Sequence, residues 1–362
     1  MDERETFLSE QNAQQSAEPS EPEVLLARTG HLGHIILNRP AAINALTGTM
    51  VSLIAAALED WEHDDGVATV LLSGAGERGL CAGGDIVAIY RDAAGDGTES
   101  AEFWAREYDL NARISSYPKP YVALMDGMVL GGGVGVSAHA RHRIVTERTK
   151  VGMPETGIGF IPDVGGTYLL SRAPGELGTH AALTAALMTG ADALLLGLAD
   201  TFMPSYRLEA LTAALATGPA AEVISGFAET APPAPLAAQQ GWIDECYRHD
   251  DVETIVDALQ RSRDADANRA AGVVLRKSPT ALKVTLESLR RARELPDLAA
   301  VLEQEYQVSL HALASPDFAE GVRAQLIDKD RSPRWQPATL AGVGTADVQA
   351  YFEPAAKVGG TV

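Results

Sequence analysis

Two glycine-rich segments of this 362-residue chain each follow a predicted buried strand. The first covers residues 80–86 and contains Gly84, and the second covers residues 130–135 and contains Gly132. Glycine allows the backbone to approach a ligand because no side chain stands in the way. One such segment is typical of a tight strand-to-helix turn. Two of them could direct two N–H donors at one oxygen, which is what a developing oxyanion requires.

Two acidic residues, Glu155 and Asp163, lie close together in residues 153–166, which read MPETGIGFIPDVGG. Neighbouring carboxylates move each other's pKa values apart, so one can hold a proton while the other acts as a base or nucleophile. Structural interpretations stay open at this point. A glutamate before a glycine-rich turn is commonly solvated or caps a helix, and Asp163 could cap the helix that follows it.

Several short motifs accompany these residues along the chain. They are Asn38-Arg39-Pro40, Asn44-Ala45-Leu46, Ala82-Gly83-Gly84-Asp85, Lys119-Pro120, Asp126-Gly127 and the triple glycine of residues 131–133. Their order resembles the crotonase (enoyl-CoA hydratase/isomerase) superfamily. The resemblance implies an acyl-CoA substrate bound in part by Ala82, Asp85 and Ile86, and an oxyanion hole formed by the N–H groups of Gly84 and Gly132. It also implies a spiral of ββα units and a homo-oligomer, either a trimer or a hexamer.

Residues 153–168 and 317–333 resemble a narrower group, the 3-hydroxyisobutyryl-CoA hydrolases. A hydratase that resembles the type member of the superfamily carries a glutamate two positions after the triple glycine, where this chain has Gly135. The resemblance therefore implies that Glu155 and Asp163 serve the hydrolysis of a short β-hydroxyacyl-CoA thioester. It points to 3-hydroxyisobutyryl-CoA, and so to valine catabolism.

The roles of the individual carboxylates and the recognition of the acyl chain stay open. Glu155 could attack the thioester carbonyl or activate a water molecule, while Asp163 orients the substrate or the water and shares in proton transfer. The hydrolases can carry an acidic residue where this chain has Arg91, which is followed by Asp92. The alternatives are enoyl-CoA hydration or isomerisation, since isomerases can place a similar acidic pair, and a non-catalytic acyl-CoA-binding protein.

Three other patterns near the triple glycine are better explained by ordinary structure. Residues 133–138 imitate a dinucleotide-binding fingerprint, but the oxyanion loop already accounts for their glycines. His139 and His142 lack a third metal ligand. Ser137 lacks the trailing glycine of a nucleophile elbow. We therefore expect no metal site. We also expect no cofactor, since coenzyme A would be part of the substrate.

The composition of the chain indicates which classes of partner and which cellular compartment are expected. The chain has 49 acidic and 29 basic residues, a net charge of −20 that would repel nucleic acid. Cys81 and Cys246 lie far apart without a CxxC spacing, which favours a reducing, cytoplasmic setting. The longest apolar stretch, residues 181–203, is interrupted by glycine and aspartate, so no transmembrane segment is predicted.

The elements that carry these residues alternate between short strands and helices, which is typical of an α/β fold. Helices are predicted at residues 49–63 and 98–115, and strands at residues 24–37 (two strands joined by a turn), 67–72, 121–125 and 143–146. The glycine-rich segments would then join consecutive strands and helices.

Charge and proline content predict how the chain is divided into regions. Residues 1–23 are predicted to be a disordered acidic tail, because seven acids accompany one arginine and almost nothing apolar. Residues 24–235 form the crotonase-like spiral core, which ends at a proline-rich break. Residues 236–337 form a C-terminal helical region, with helices at 252–271, 279–295 and 298–314, and residues 338–362 form a C-terminal tail.

Overall fold

The computed structural model describes residues 21–355, and in this part of the chain ten strands form two sheets. The strands are β1 (Val24–Thr29), β2 (Leu32–Leu37), β3 (Thr69–Gly74), β4 (Gly79–Cys81), β5 (Tyr121–Met125), β6 (Met128–Leu130), β7 (His142–Val145), β8 (Lys150–Gly152), β9 (Met188–Thr189) and β10 (Thr201–Phe202). The larger sheet has the order β1-β2-β3-β5-β7-β10, and the smaller has the order β4-β6-β8-β9.

Helices follow the strands and then continue alone toward the C-terminus. They are α1 (Gly48–Glu62), α2 (Ile86–Ala93), α3 (Thr98–Ser116), α4 (Gly132–Gly135), α5 (Gly166–Ser171), α6 (Leu177–Thr184), α7 (Gly190–Leu195), α8 (Leu208–Leu215), α9 (Ala220–Phe227), α10 (Gln240–Tyr247), α11 (Val252–Arg261), α12 (Ala265–Val274), α13 (Pro279–Glu294), α14 (Leu298–Leu313), α15 (Pro316–Val322) and α16 (Thr345–Ala350).

Successive turns of the chain repeat one pattern. A strand of the larger sheet is followed by a strand of the smaller sheet and then by a helix. Strands β3, β5 and β7 pair in parallel in the larger sheet, and β4, β6 and β8 pair in parallel in the smaller sheet. Each turn therefore advances by one strand in both sheets. This is the predicted spiral of ββα units, and the α/β fold class is confirmed.

The central strands and the first helix form where the sequence pattern predicts them. Every residue of β5 is buried, as expected of a parallel strand that is covered on both faces. In α1, Met50, Ile54 and Leu58 recur at helical spacing and are buried. The Thr47 hydroxyl caps this helix by accepting a hydrogen bond from the Met50 N–H at 3.1 Å.

The C-terminal region is helical, but two details differ from the sequence prediction. The single helix predicted at residues 252–271 is divided into α11 and α12, because Asp264 caps a new helix by accepting from the Asp266 N–H at 2.8 Å. Within the predicted C-terminal tail the chain forms α16. Val343 and Val348 there are buried against Val284 of α13, a contact that weak sequence periodicity did not predict.

The predicted acidic tail falls largely outside the described residues. Glu23, at the end of that segment, accepts a hydrogen bond from the Thr47 hydroxyl at 2.5 Å and lies 3.4 Å from the Arg39 guanidinium. In residues 21–355 no helix has the length and apolar character that crossing a membrane requires.

Candidate active site

The first glycine loop joins β4 to α2 and is anchored on both sides of Gly84. The Leu46 N–H donates to the Gly83 carbonyl at 2.8 Å, and the Asp85 N–H donates to the Leu46 carbonyl at 2.9 Å. The Asp85 carboxylate also caps α2 by accepting from the Ala88 N–H at 3.3 Å. The backbone at Gly84 is therefore held between two fixed neighbours.

The second glycine loop enters α4 through Gly131, whose φ of 47° and ψ of −118° suit glycine alone. A Cβ atom on Gly131 would lie 2.7 Å from Oε1 of Glu155. A Cβ atom on Gly132 would collide with Oε1 of Glu107. Two buried carboxylates thus occupy the space that side chains on this loop would need.

The two loops meet at Gly84 and Gly132. A Cβ atom built on Gly132 would lie 3.2 Å from the Gly84 nitrogen, and one built on Gly83 would lie 3.6 Å from the Gly132 nitrogen. Neither the Gly84 N–H nor the Gly132 N–H donates to a protein group within residues 21–355. The structure therefore places the Gly84 and Gly132 N–H groups near each other, as the sequence predicts. That they form an oxyanion hole stays a prediction.

Glu155 begins a 3-10 turn, Glu155–Ile158, shortly after β8. Its carbonyl accepts from the Phe160 N–H at 3.0 Å, and Gly159 leaves the turn with a φ of 73°. The residue is only 7% exposed, and among the described residues its Oε2 atom has no hydrogen-bond partner. This burial argues against the interpretation of Glu155 as a solvated glutamate.

Asp163 lies on the loop before α5 and is 5% exposed. Its Oδ2 atom accepts a hydrogen bond from the Tyr108 hydroxyl at 2.7 Å. Helix α5 is preceded by Gly165 and has no side-chain cap. The interpretation of Asp163 as a helix cap is therefore wrong, since its carboxylate is directed to Tyr108 of α3.

A third carboxylate, Glu107 of α3, belongs to the same buried cluster and was missed by the sequence analysis. It is 2% exposed, and in the described part of the chain its Oε1 atom has no hydrogen-bond partner. A signal was present in the sequence. Phe103, Glu107 and Asn111 recur at every fourth position on the buried face of α3, where two polar residues interrupt an apolar stripe.

Burial shapes the ionisation of all three carboxylates. It raises the pKa of Asp163 to about 7, although the hydrogen bond from Tyr108 acts in the opposite direction. Burial, and then the negative charge of Asp163, raise the pKa values of Glu155 and Glu107 well above their ordinary range. Because burial and mutual repulsion oppose the ionisation of all three carboxylates at neutral pH, the cluster can offer a proton donor and an ionised carboxylate at the same time.

Gly135, which stands where a hydratase of the superfamily would carry a glutamate, has no room for a side chain. A Cβ atom there would lie 2.7 Å from Cβ of Val164 and 2.9 Å from Nδ2 of Asn111. The Asn111 side chain is completely buried, and its amide has no hydrogen-bond partner within the described residues. The Asn111 side chain of α3 therefore occupies space that a glutamate at position 135 would need.

A cavity of about 370 Å³ opens beside the first glycine loop. Phe103 and Ile89 line it and would lie 3.4 Å and 3.9 Å from a Cβ atom on Gly84. Five charged residues also line it: Asp85, Asp92, Glu99, Glu102 and Arg106. The cavity lies between α2 and α3, next to the side chains that surround Gly84.

The remaining predicted substrate-binding residues hold the first loop in place. The Ala82 N–H donates to the Ile43 carbonyl at 2.9 Å. The Asp85 carboxylate accepts from the Arg39 guanidinium at 3.1 Å. Ile86 packs against the hydrophobic core. Contact of these three residues with a substrate stays a prediction.

The patterns that the sequence analysis set aside have structural roles. The Ser137 hydroxyl donates to the Gly133 carbonyl at 2.6 Å and is buried. His139 Nε2, in the turn after α4, lies 2.8 Å from the Val164 carbonyl oxygen, and His142 lies on β7. Within the described residues no group of three or more histidines, cysteines or acids is arranged to hold a metal ion.

The chain belongs to the enoyl-CoA hydratase/isomerase family, whose model matches residues 32–352. It is 40% identical to the mitochondrial 3-hydroxyisobutyryl-CoA hydrolase of Danio rerio, covering 91% of this chain and 89% of that protein. It is also 40% identical to 3-hydroxyisobutyryl-CoA hydrolase 1 of Arabidopsis thaliana, covering 92% of each chain.

Solved structures share the fold as well. A carnitinyl-CoA dehydratase from Mycobacterium thermoresistibile superimposes with a TM-score of 0.90 at 54% identity, over 92% of this chain and 97% of that chain. The predicted membership of the crotonase superfamily and the resemblance to 3-hydroxyisobutyryl-CoA hydrolases are both confirmed. The names of the relatives nevertheless describe more than one reaction.

Proposed function

We propose that this protein is an acyl-CoA thioester hydrolase that converts 3-hydroxyisobutyryl-CoA into 3-hydroxyisobutyrate and free coenzyme A. Relatives with that hydrolase name align over more than nine tenths of the chain at about 40% identity. Such a reaction belongs to valine breakdown, as the resemblance implied. Among the structural observations, the position of Glu155 supports the proposal most strongly.

The Glu155 carboxylate lies directly beside the second glycine loop. Its Oε1 atom would be 2.7 Å from a Cβ atom on Gly131, the residue before Gly132. A thioester whose oxygen accepts from the Gly84 and Gly132 N–H groups would therefore have its carbonyl carbon close to this carboxylate. In residues 21–355, Oε2 of this buried carboxylate and the two nearby N–H donors have no partners, an arrangement that suits attack at a carbonyl.

The proposed reaction proceeds by addition to the thioester carbon and loss of the thiolate. Glu155 either attacks the carbon itself, forming an anhydride that water then cleaves, or removes a proton from the attacking water. In both routes the C–S bond breaks and the thiolate of coenzyme A accepts a proton. The two N–H groups stabilise the negative charge that develops on the carbonyl oxygen.

Glu107 would take part in its neutral form. An ionised carboxylate beside Gly132 would repel a developing oxyanion, whereas a protonated one would not. Burial and the charge of Asp163 both raise the pKa of Glu107, which favours the protonated form. Neutral Glu107 could then donate a hydrogen bond or a proton within the site.

A second candidate is the addition or removal of water at a carbon–carbon bond. The 54% identical structure described as a carnitinyl-CoA dehydratase favours this alternative. Gly135 opposes it, because the position of the hydratase glutamate is occupied by Asn111 and Val164. The glycine loops alone do not separate the two reactions, since an enolate and a tetrahedral oxyanion need the same donors.

The experiment that separates these functions presents the full chain with four thioesters: 3-hydroxyisobutyryl-CoA, isobutyryl-CoA, crotonyl-CoA and carnitinyl-CoA. Free coenzyme A is followed with a thiol reagent, and changes in the conjugated double bond are followed by ultraviolet absorbance. We expect thiol release that is fastest with 3-hydroxyisobutyryl-CoA and no change in the double bond of crotonyl-CoA.

Other outcomes would reject the hydrolase. Hydration of crotonyl-CoA or dehydration of carnitinyl-CoA without thiol release would assign the chain to the second candidate. Saturable binding of all four thioesters without any turnover would instead identify a non-catalytic acyl-CoA-binding protein.

The location and assembly of the protein also remain proposals. A cytoplasmic protein is our expectation from two isolated cysteines, and the Danio rerio relative, which is named as mitochondrial, gives this no support. A trimer or hexamer is our expectation from the superfamily resemblance. Light scattering of the purified chain would test the assembly.

A further inference from the structure

Helix α14 lies far along the chain from the glycine loops and acidic motifs, yet its buried face reaches the loop that carries Asp163. Glu305 and Ser309, four residues apart on α14, are both fully buried polar side chains. Residues with this spacing lie on the same face of a helix. Their hydrogen bonds converge on Asp163 and on the turn that follows it.

Glu305 holds the turn after Asp163. Its Oε2 atom accepts from the Gly165 N–H at 2.6 Å, and its Oε1 atom accepts from the Thr167 N–H at 2.9 Å and the Thr167 hydroxyl at 2.5 Å. Val164 in this turn has a φ of 53°, which is strained for a β-branched residue. The bonds from Glu305 stabilise this strained path and so fix the position of Asp163.

Ser309 acts on the Asp163 carboxylate through Tyr108. The Tyr108 hydroxyl lies 2.7 Å from Oδ2 of Asp163 and 2.9 Å from the Ser309 hydroxyl. An ionised carboxylate can only accept, so the single Tyr108 proton points to Asp163. The Ser309 hydroxyl must then donate to Tyr108. This chain of hydroxyl groups stabilises the ionised form of Asp163 and fixes its orientation.

We propose that Tyr108 and Ser309 are positioning residues that hold the Asp163 carboxylate in its reactive orientation. Together with Glu305, which holds the turn after Asp163, Ser309 makes α14 a functional part of the active site. This inference rests on the proposed function, because it assumes that Asp163 takes part in thioester hydrolysis. It adds to that function a dependence on a helix that contributes none of the reacting groups.

Other ionisable groups surround Asp163 on every side. Glu107 and Tyr108 approach it from α3, Glu155 from the 3-10 turn and Glu305 from α14. Burial raises the pKa of Glu305 to about 8 against the effect of its hydrogen bonds. Any pH profile therefore reports apparent ionisations of the cluster. The Tyr108 hydrogen bond stabilises the charged form, so its removal shifts the ionisation toward higher pH.

The test compares Tyr108→Phe with Tyr306→Phe. The matched control removes the hydroxyl of Tyr306 on α14, whose one hydrogen bond within the described residues goes to the Ala101 carbonyl oxygen at 3.4 Å. The Tyr306 ring lies 6.2 Å from that of Tyr108. Steady-state kcat and KM of thiol release are measured from pH 5 to 9, and folding is checked by thermal unfolding. Ser309→Ala, a smaller change, serves as a second variant.

We expect Tyr108→Phe to move the pH profile of kcat upward by about one to two pH units, the size of a lost hydrogen bond to a charged group. At pH 7 its kcat should fall about tenfold or more while KM changes little. Ser309→Ala should shift the profile in the same direction by less, and Tyr306→Phe should match the wild type.

Equal effects of Tyr108→Phe and Tyr306→Phe would overturn the inference, because both would then act through packing alone. An unchanged pH profile in a folded Tyr108→Phe or Ser309→Ala variant would overturn it as well. Failure of the proposed function is a separate result. In that case the wild-type protein itself would release no thiol from 3-hydroxyisobutyryl-CoA.

Discussion

The candidate active site has two sides that are built in different ways. On the glycine side, the chemical groups are backbone N–H donors held by neighbouring turns of the spiral. The Gly131 N–H, for example, donates to the Gly152 carbonyl at 3.2 Å, between β6 and β8 of the same sheet. On the carboxylate side, Asp163 depends on Tyr108 and Ser309, which come from distant parts of the chain.

This difference decides how each side should respond to change. The N–H donors themselves do not ionise, so the glycine side should be intolerant of added atoms, and pH should act on it only through the neighbouring Glu107 carboxylate. The carboxylates have raised pKa values that depend on burial and on one another. The carboxylate side should therefore be sensitive to pH and to the loss of single polar atoms. Substitutions on each side can test this contrast.

The largest effect is expected at Glu155. The substitution Glu155→Gln keeps the shape of the side chain but removes the nucleophile or base, so kcat should fall by about 10² to 10⁴-fold. Binding of coenzyme A thioesters should stay close to that of the wild type. Glu209→Gln, at an exposed glutamate of α8, is the matched control and should leave kcat unchanged.

Stopped-flow thiol detection and a binding titration measure both quantities. A Glu155→Gln variant with near-normal kcat would show that Glu155 has a structural role and does not act as the nucleophile or base.

A smaller but still large effect is expected on the glycine side. In Gly132→Ala the new Cβ atom would come within 3.2 Å of the Gly84 nitrogen, where the thioester oxygen should lie. Displacing that oxygen should cost roughly 10²-fold in kcat. Gly226→Ala is the control, because a Cβ atom there meets nothing within 4 Å.

Kinetic measurements from pH 5 to 9 would distinguish the two sides. If folded Gly132→Ala turned over like Gly226→Ala, the space between Gly132 and Gly84 would have no part in the reaction. Any part of the loss that varies with pH would measure the contribution of Glu107, with which the new Cβ atom would collide.

The smallest change in the type of reaction is expected at Gly135, which lies between the second glycine loop and Val164. Gly135→Glu would restore the residue type of a hydratase, but the space is filled by Val164 and Asn111. Overpacking a core typically costs about 1–3 kcal/mol of stability, and the buried carboxyl group adds to that cost, so we expect a loss of at least about 3 kcal/mol in urea unfolding. We predict no gain of crotonyl-CoA hydration. A stable variant that hydrates crotonyl-CoA would show that this one position separates the two reactions.

The same contrast explains how much the sequence could reveal. The strands and the glycine loops were predictable, because a buried strand and a turn that needs glycine both leave local signals in the sequence. Gly84 and Gly132 could be paired by the superfamily resemblance before any geometry was known. Glu155 and Asp163 were identified from the same local motif.

The surroundings of the carboxylates could not be predicted in this way. Glu107 and Tyr108 lie on a helix with no recognisable motif, and Glu305 contributes hydrogen bonds to residues 138 and 140 positions earlier in the chain. Such contacts depend on how helices pack in three dimensions. Helix α16 could not be predicted for a related reason. It has few apolar residues, and they are buried only because they pack against α13.

The claim that the two sides act on one carbonyl group is tested most directly by a crystal structure with a non-hydrolysable analogue of 3-hydroxyisobutyryl-CoA. We predict that the analogue's carbonyl oxygen lies about 2.7–3.1 Å from the nitrogens of both Gly84 and Gly132. The Glu155 carboxylate should face the carbonyl carbon, either in contact or through one water molecule. An analogue whose oxygen is bound away from either nitrogen, or whose carbonyl carbon is remote from Glu155, would contradict this account.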